Sequence, residues 1–441
     1  MGENMKLAEI AEEHDIPGMA AGILHGDRYV YAGHGLTNLD DPRPVNENTL
    51  FHLASVTKTF TATAAVRLAG QGKLDLSARV RDYLPELRLA DPASAAEITV
   101  RHLLNHTAGL DWNLIDGTDG TLEGFVAELH RLPIIAAPGV RASYSQAGYN
   151  LLGRVLEKAA DRPYEQIVGD LALRPAGLQR TCFGLDEVVL HRLAVGHHRD
   201  GDGVWQTARP WAGHPAGSRG NNPGGGIASC VSDLLRWARH HLDSADLRVM
   251  AEPTVALRAS TLGDAFGIGW FVRDVGGVST VGHGGSGNGQ FAELLLVPDR
   301  DFAVVSLANA GPGGYLANQA VVRRALEDHL GLVEKEIHPC GYDVERAREV
   351  AGRYELDAMD LEIVTHGDAL TLAVGIKPAI RAASESDMPP DYEAAAMGLL
   401  PGDEYVITEG GLAGQRGFFT RDEHGRVIGA DLAGRLFRRV S

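Results

Sequence analysis

Cysteine is scarce in this 441-residue chain: Cys182, Cys230 and Cys340, widely spaced and odd in number. They make neither a disulfide framework nor a metal-ligand pattern, and they point to a reducing compartment. No apolar run approaches the length needed to span a bilayer. The first residues carry Glu3, Glu9, Glu12 and Glu13 where a secretory leader would need an apolar stretch, so the expectation is a cytoplasmic protein. Basic residues are in deficit, 41 Lys and Arg against 58 Asp and Glu, a formal net charge of −17 that disfavours nucleic-acid or anionic-membrane partners. Glycine and alanine are plentiful, and the length is enough for two domains.

The most informative segment is Phe51-His52-Leu53-Ala54-Ser55-Val56-Thr57-Lys58. Ser55 and Lys58 lie three residues apart at the start of an expected helix, Val56 to Leu68, so one turn brings both side chains to one face. A serine hydroxyl is a poor nucleophile until a base takes its proton, and a desolvated lysine is such a base. The spacing alone is common. Two further segments, around Tyr144 and His283, give it weight.

The first strands are expected over Gly18–Leu24 and Arg28–Ala32, joined by a Gly-Asp turn, after a short helix over 6–16. Thr99 is a candidate cap for a short helix. A helix is expected over Tyr149–Ala159, and another over Ser232–His241 with Ser232 as its cap and Asp233 in its first turn. Residues 196–226, with Trp205, Trp211, Pro210 and Pro215, read as loop. Strands are expected over Phe266–Val272, Gln290–Val297 and Phe302–Leu307, then a helix over Leu316–Leu330. These elements predict an α+β domain over residues 1–338. Short strand candidates fill residues 346–441 and predict a small closed all-β barrel. No cluster of Ser, His, Cys or Asp there points to separate chemistry. His102, His106, His197, His198 and His214 read as ordinary histidines, and the His197-His198 pair is too sparse for a metal site.

Taken in order, Ser55-Val-Thr-Lys58, Tyr144-Ser-Gln146 and His283-Gly-Gly285 resemble the serine beta-lactamase and penicillin-binding-protein superfamily. The likeness is to its class C-like branch, which includes D-alanyl-D-alanine peptidases, D-aminopeptidases and esterases. Gly72-Lys-Leu-Asp-Leu76 and the run from Ile98 to Leu110 look familial as well. The resemblance covers roughly residues 6–333, and the final segment resembles the lipocalin-like extension of some members. It implies a beta-lactamase/transpeptidase-like fold and a metal-independent, cofactor-free acyl transfer. Ser55 would form an acyl-enzyme, Lys58 and Tyr144 would manage the protons as a coupled pair, and Ser55 N–H would supply one oxyanion donor. A second donor is expected near Gln290 or Phe291.

Two positions depart from the common family pattern. His283 stands where lactamases usually carry lysine, which weakens the case for carboxylate recognition. Gln146 replaces the usual asparagine and is expected to bind a substrate amide. Gly284 and Gly285 would let substrate backbone approach the strand. The resemblance implies a small acyl or peptide substrate with a D-residue at the scissile bond. Two alternatives are a cyclase releasing a peptidyl thioester, with a peptidyl carrier protein as partner, and a non-catalytic binding module of the same fold.

Overall fold

The computed structural model describes residues 5–113, 119–208, 219–383 and 391–441. Trp211, Pro210, Pro215 and His214 lie outside these described residues.

A helix α1 (Leu7–Glu13) leads into the hairpin β1 (Gly18–His25) and β2 (Arg28–Gly35), whose register closes at His25 and Arg28. The remaining strands of this sheet come more than two hundred residues later. They are β3 (Val255–Ala256), β4 (Ala265–Phe266), β5 (Phe271–Val275), β6 (Val278–Gly287), β7 (Gln290–Val297) and β8 (Phe302–Ala308). Their order is β2-β1-β8-β7-β6-β5-β4-β3, and all pairings are antiparallel. Central strands are buried on both faces. Ala20 and Leu24 of β1 face the inner core with the helical region, while Ala21 and Ile23 face an outer core with α1 and α5 (Gly314–Leu330). Alternate side chains thus serve two cores, so β1 and β8 read as continuous apolar runs.

The inner core surrounds α2 (Thr57–Gly70), a helix buried on nearly every side. Its threonines survive there because their hydroxyls bond backward: Thr59 to the Val56 carbonyl at 2.9 Å and Thr63 to that of Thr59 at 2.8 Å. Trp237, from α4 (Val231–Asp243), stacks on Phe60 at 4.1 Å and donates to Thr59 Oγ1. Cys230 occupies the cap position of α4, correcting the Ser232 expectation: Ser232 lies one residue inside the helix and donates to Asn48. The expected strand over Phe266–Val272 is two strands, β4 and β5, because residues 267–270 break the ladder. The region 196–226 contains a hairpin, Gly196–Arg199 with Trp205–Ala208.

After residues 331–343, which have no regular structure, a short helix precedes eight strands in chain order that close on themselves. These are β9 (Gly352–Glu355), β10 (Met359–His366), β11 (Ala369–Ile376), β12 (Ala395–Leu400), β13 (Glu404–Ile407), β14 (Arg416–Arg421), β15 (Val427–Leu432) and β16 (Arg435–Arg439). Tyr354, Ile363, Leu372, Tyr405, Phe419 and Phe437 fill the interior. Closure leaves no free sheet edge. The barrel docks on the first domain through a partly buried Arg141–Asp431 ion pair at 2.5 Å and through Thr261 donating to Gln415. Among the described residues no helix is long and apolar enough to cross a membrane.

Candidate active site

Ser55 sits in a single 3-10 turn, Ala54–Val56, that runs directly into α2. Ala54 holds a left-handed φ of 44°, uncommon for a residue with a Cβ, so the chain bends sharply just before the serine. Lys58 follows one turn later and is fully buried. Its Nζ lies 3.1 Å from Ser55 Oγ, 2.5 Å from Gln146 Oε1 and 2.7 Å from the Gly224 carbonyl.

The protons of this cluster follow from one backbone donor. Gly224 N–H donates to Asn150 Oδ1, so the Asn150 amide nitrogen faces Asn221 Oδ1 and donates to it. Asn221 Oδ1 also accepts from Gln146 Nε2, which turns Gln146 Oε1 toward Lys58. Gln146 Oε1 and the Gly224 carbonyl can only accept, so Lys58 must donate to both. Burial first, and then the Arg435 charge, hold the Lys58 ammonium well below the usual lysine range. A neutral amine has two N–H bonds, and both are used. Its lone pair is left for Ser55 Oγ–H.

Tyr144 precedes α3 (Gln146–Ala160), which is capped by Ser145 accepting from Gly148 N–H at 3.1 Å. Its buried hydroxyl has no hydrogen bond of good geometry among the described residues. It nevertheless faces Ser55 closely enough that the serine, like Arg435, counteracts the main effect, which is burial raising the phenol's pKa. The resting tyrosine is therefore the neutral phenol. Lys58 Nζ lies 4.9 Å from its ring centre, and His106 packs 4.3 Å away on the same ring.

His283 lies on β6, a strand absent from the sequence expectation, and faces inward opposite Leu294. Its Nδ1–H donates to the Gly284 carbonyl at 2.7 Å. That tautomer leaves Nε2 as a buried acceptor without a partner among the described residues. Burial and then Lys58 push its pKa down to about 3, so the ring is neutral near pH 7. It presents a lone pair, not a positive charge.

The β6–β7 hairpin closes with the pair Gly287–Gln290 around a two-residue turn. In such a hairpin the closing pair is hydrogen-bonded, and alternation turns the N–H and C=O groups of Ser286 and Gly284 away from β7. β5 pairs with β6 only as far as Gly282, so residues 283–287 have a free edge. A Cβ at Gly285 would lie 2.1 Å from Leu53 O and 3.0 Å from Ser55 N. Glycine there lets the strand press against the nucleophile's own turn.

The expected substrate-side residues divide accordingly. Gln290 is fully buried and accepts from His52 N–H, while the Phe291 ring packs on Gly311 and Gly314. Neither places a donor opposite Ser55, which corrects the expected second oxyanion donor; Ser286 has the free N–H on the correct edge. Gln146 has its amide committed to Lys58 and Asn221, correcting its expected role in binding substrate. At Gly284 the space a side chain would fill is taken by the Glu293 carboxyl, 2.8 Å from an ideal Cβ.

Arg435 was outside the sequence expectation. The β15–β16 turn, Ala433-Gly434, has positive φ at both residues, and the Gly434 carbonyl accepts from Tyr144 N–H at 2.8 Å. The next residue, Arg435, therefore reaches the site from the barrel. Its guanidinium carbon lies 4.8 Å from the Tyr144 ring centre and 5.7 Å from that of Trp112. It forms no ion pair with a described residue, and its buried Nε has no hydrogen-bond partner among them. Two cavities meet at this side chain. One, of about 250 Å³, holds Ser55, Tyr144 and His283; the other, about 890 Å³, runs between Ser286–Gly289 and the barrel wall.

His197, one of the histidines read as ordinary, uses both ring nitrogens structurally, Nδ1 on Asn309 O and Nε2 on Leu39 N–H. His106 likewise accepts Ser145 N–H through Nδ1.

Comparison with known proteins bears on this geometry. The family model Beta-lactamase matches residues 5–327. Penicillin-binding protein 4 of Amycolatopsis lactamdurans is 30% identical over 317 residues, 68% of this chain and 82% of its own. Esterase EstB of Burkholderia gladioli is 35% identical over 207 residues, 43% and 52% of the two chains. Among solved structures, SurE with D-Leu aligns with 98% of this chain and 97% of its own at TM-score 0.71 and 24% identity.

Proposed function

The chain belongs to the beta-lactamase family and is a serine hydrolase or acyl transferase; from that premise we propose that it transfers a peptidyl or aminoacyl group ending in a D-residue, through an ester on Ser55. The observation carrying this reading is the placement of Lys58 Nζ, 3.1 Å from Ser55 Oγ and held by Gln146 Oε1 and the Gly224 carbonyl, so that once deprotonated its lone pair faces the serine.

Ser55 Oγ attacks the acyl carbonyl as its proton passes to Lys58 Nζ. The carbonyl oxygen becomes an oxyanion held by the N–H groups of Ser55 and Ser286. Collapse expels the leaving group, which takes a proton from the Tyr144 phenol; the phenolate is replenished from the Lys58 ammonium beside it. His283 Nε2, an acceptor without a partner among the described residues at rest, is open to a donor on the substrate. Water or an amine then attacks the ester by the same steps in reverse.

Support for a D-residue comes from the SurE likeness, which spans both parts of the chain and whose structure is described with D-Leu. Support for a peptidyl acyl group comes from the roughly 890 Å³ cleft beside the barrel, which exceeds the needs of one amino acid. The same cleft favours a second reading, cyclisation, in which the held peptide's own amine replaces water.

Matched D- and L-alanyl p-nitrophenyl esters test the proposal, run beside Ser55→Ala with intact-protein mass. Ser55-dependent turnover favouring the D-ester, with an acyl adduct, is the expected result. Equal turnover of both esters removes the D-selectivity; turnover surviving in Ser55→Ala removes the nucleophile.

A further inference from the structure

The smaller cavity does not end at Ser55. It passes the free edge of β6 and continues on the outer face of the sheet, where Glu293, Asn318, Gln319, Tyr315 and Glu334 line it. Two features open that passage. Among the described residues no strand pairs with this edge beyond Gly282, and the missing side chain at Gly284 leaves room for the Glu293 carboxyl to reach the passage. Gly284 pairs with Glu293 across the ladder, while neighbouring His283 pairs with Leu294 and faces inward. This short stretch of the β6–β7 ladder therefore presents the His283 imidazole to one side and the Glu293 carboxyl to the other.

We propose that this outer pocket is a subsite for the ammonium of a basic side chain, carried by the group that leaves Ser55's acyl carbonyl or by the amine that replaces it. Departure and attack use the same side of the ester, so one pocket serves both. The proposal rests on the acyl-transfer reading above.

The chemistry of the lining favours a cation. Glu293 accepts from Gln319 Nε2 at 3.1 Å, a neutral donor that brings it no positive charge. Arg273, the cation that lowers its pKa, is engaged by Glu334 at 3.0 Å, so this pair largely cancels. Arg323 acts on Tyr315, whose phenol burial holds neutral. Of the charged residues lining the cavity, Glu293 and Glu334 against Arg273 and Arg435, Glu293 is the acid that forms no ion pair with a described residue. At about 250 Å³ the whole cavity fits an aminoalkyl chain beside the reacting carbonyl. Arg435 at the opposite end repels the same cation and so fixes which way such a group lies.

Protonation supplies a signature. Burial, only partly offset by Arg273, pushes the Glu293 carboxyl up to about 8, so at pH 7 it is mainly the neutral acid. An arriving ammonium stabilises the carboxylate, and the acid proton goes to solvent.

The test uses the full chain carrying Ser55→Ala, so that binding is read without turnover. Lysinamide and norleucinamide, as D and L forms, are titrated by calorimetry at pH 7 in two buffers of different ionisation enthalpy. They share the α-amine and differ at the ε-ammonium. Lysinamide is expected to bind at least about tenfold more tightly, as a charged hydrogen bond gives, and to release a proton. Adding Glu293→Gln should bring the two ligands to within about twofold and abolish proton release. Equal binding of both ligands, no detectable binding of either, or a lysine preference that survives Glu293→Gln overturns the proposal. So does tighter binding of glutaminamide than of lysinamide. A thermal melt establishes that each variant is folded. Failure of the acyl-transfer reading appears separately, as absent Ser55-dependent ester turnover in the unmodified chain.

Discussion

Arg435 of the barrel stands over the ring of Tyr144, 4.8 Å from its centre, and the carbonyl of the preceding residue holds Tyr144 N–H. The barrel therefore contributes a cation to the cleft and a backbone acceptor to the position of the phenol.

That charge depresses Lys58, after the larger effect of burial. Arg435→Ala should let Lys58 hold its proton more tightly, so the acid limb of the kcat/KM profile moves to higher pH. Activity near neutrality should fall about tenfold or more, because less of the base is free. Arg435→Lys keeps the charge and should leave the limb near its original place. A limb unmoved in the alanine variant would show that the guanidinium does not act on Lys58.

Tyr144→Phe removes a hydroxyl that has no well-formed hydrogen bond in the resting site. Stability should change by about 0.5 kcal/mol or less, while kcat falls roughly 10²- to 10⁴-fold. Urea unfolding beside steady-state kinetics checks the split. A large loss of stability would make the residue structural.

His283 is neutral down to about pH 3 and cannot produce a titration near pH 6. In His283→Gln the rate should fall and the acid limb should persist. Disappearance of the limb would assign it to the imidazole instead of Lys58.

Gly285→Ala would drive a Cβ to within 2.1 Å of Leu53 O. The backbone there cannot give way without moving the Ser55 turn. A cost of about 1–3 kcal/mol is expected, together with about a hundredfold loss of kcat from misplacing the nucleophile. Thermal melts and ester kinetics report the two effects.

Glu293 has a folded pKa of about 8, above its ordinary 4.5, mainly through burial. The folded state then binds more protons than the unfolded state between these values, so this group lowers stability as pH rises through that window. Glu293→Gln should match the wild type at pH 5 and exceed its Tm at pH 9. A pH-independent difference would refute the raised pKa.

Much of the catalytic geometry was legible in the sequence because it is local. Ser55 and Lys58 share a turn, Tyr144 precedes a capped helix, and the His25–Arg28 hairpin announces itself by its turn residues. Strand β6 was not legible, since Gly282, Gly284, Gly285 and Gly287 erase the alternation that marks a strand. The glutamine at 146 reads like a substrate ligand until Asn150 and Asn221, both distant or unremarkable in sequence, claim its amide. Arg435 lies in a run, Arg435-Leu-Phe-Arg-Arg439, that looks like an ordinary alternating strand with solvated charges. Only docking of the barrel turns its first member into the cleft. Glu293 looks like an exposed residue on a strand because its burial depends on α5 and on a missing side chain at Gly284.

The amide chain from Gly224 N–H through Asn150, Asn221 and Gln146 has a further consequence. Every link that aims the Lys58 lone pair is a neutral dipole, and none is a carboxylate. Mobile ions have nothing there to shield. The base should keep its aim in concentrated brine as it does in dilute buffer, a tolerance that an aspartate-held base at a solvent-exposed site would not share.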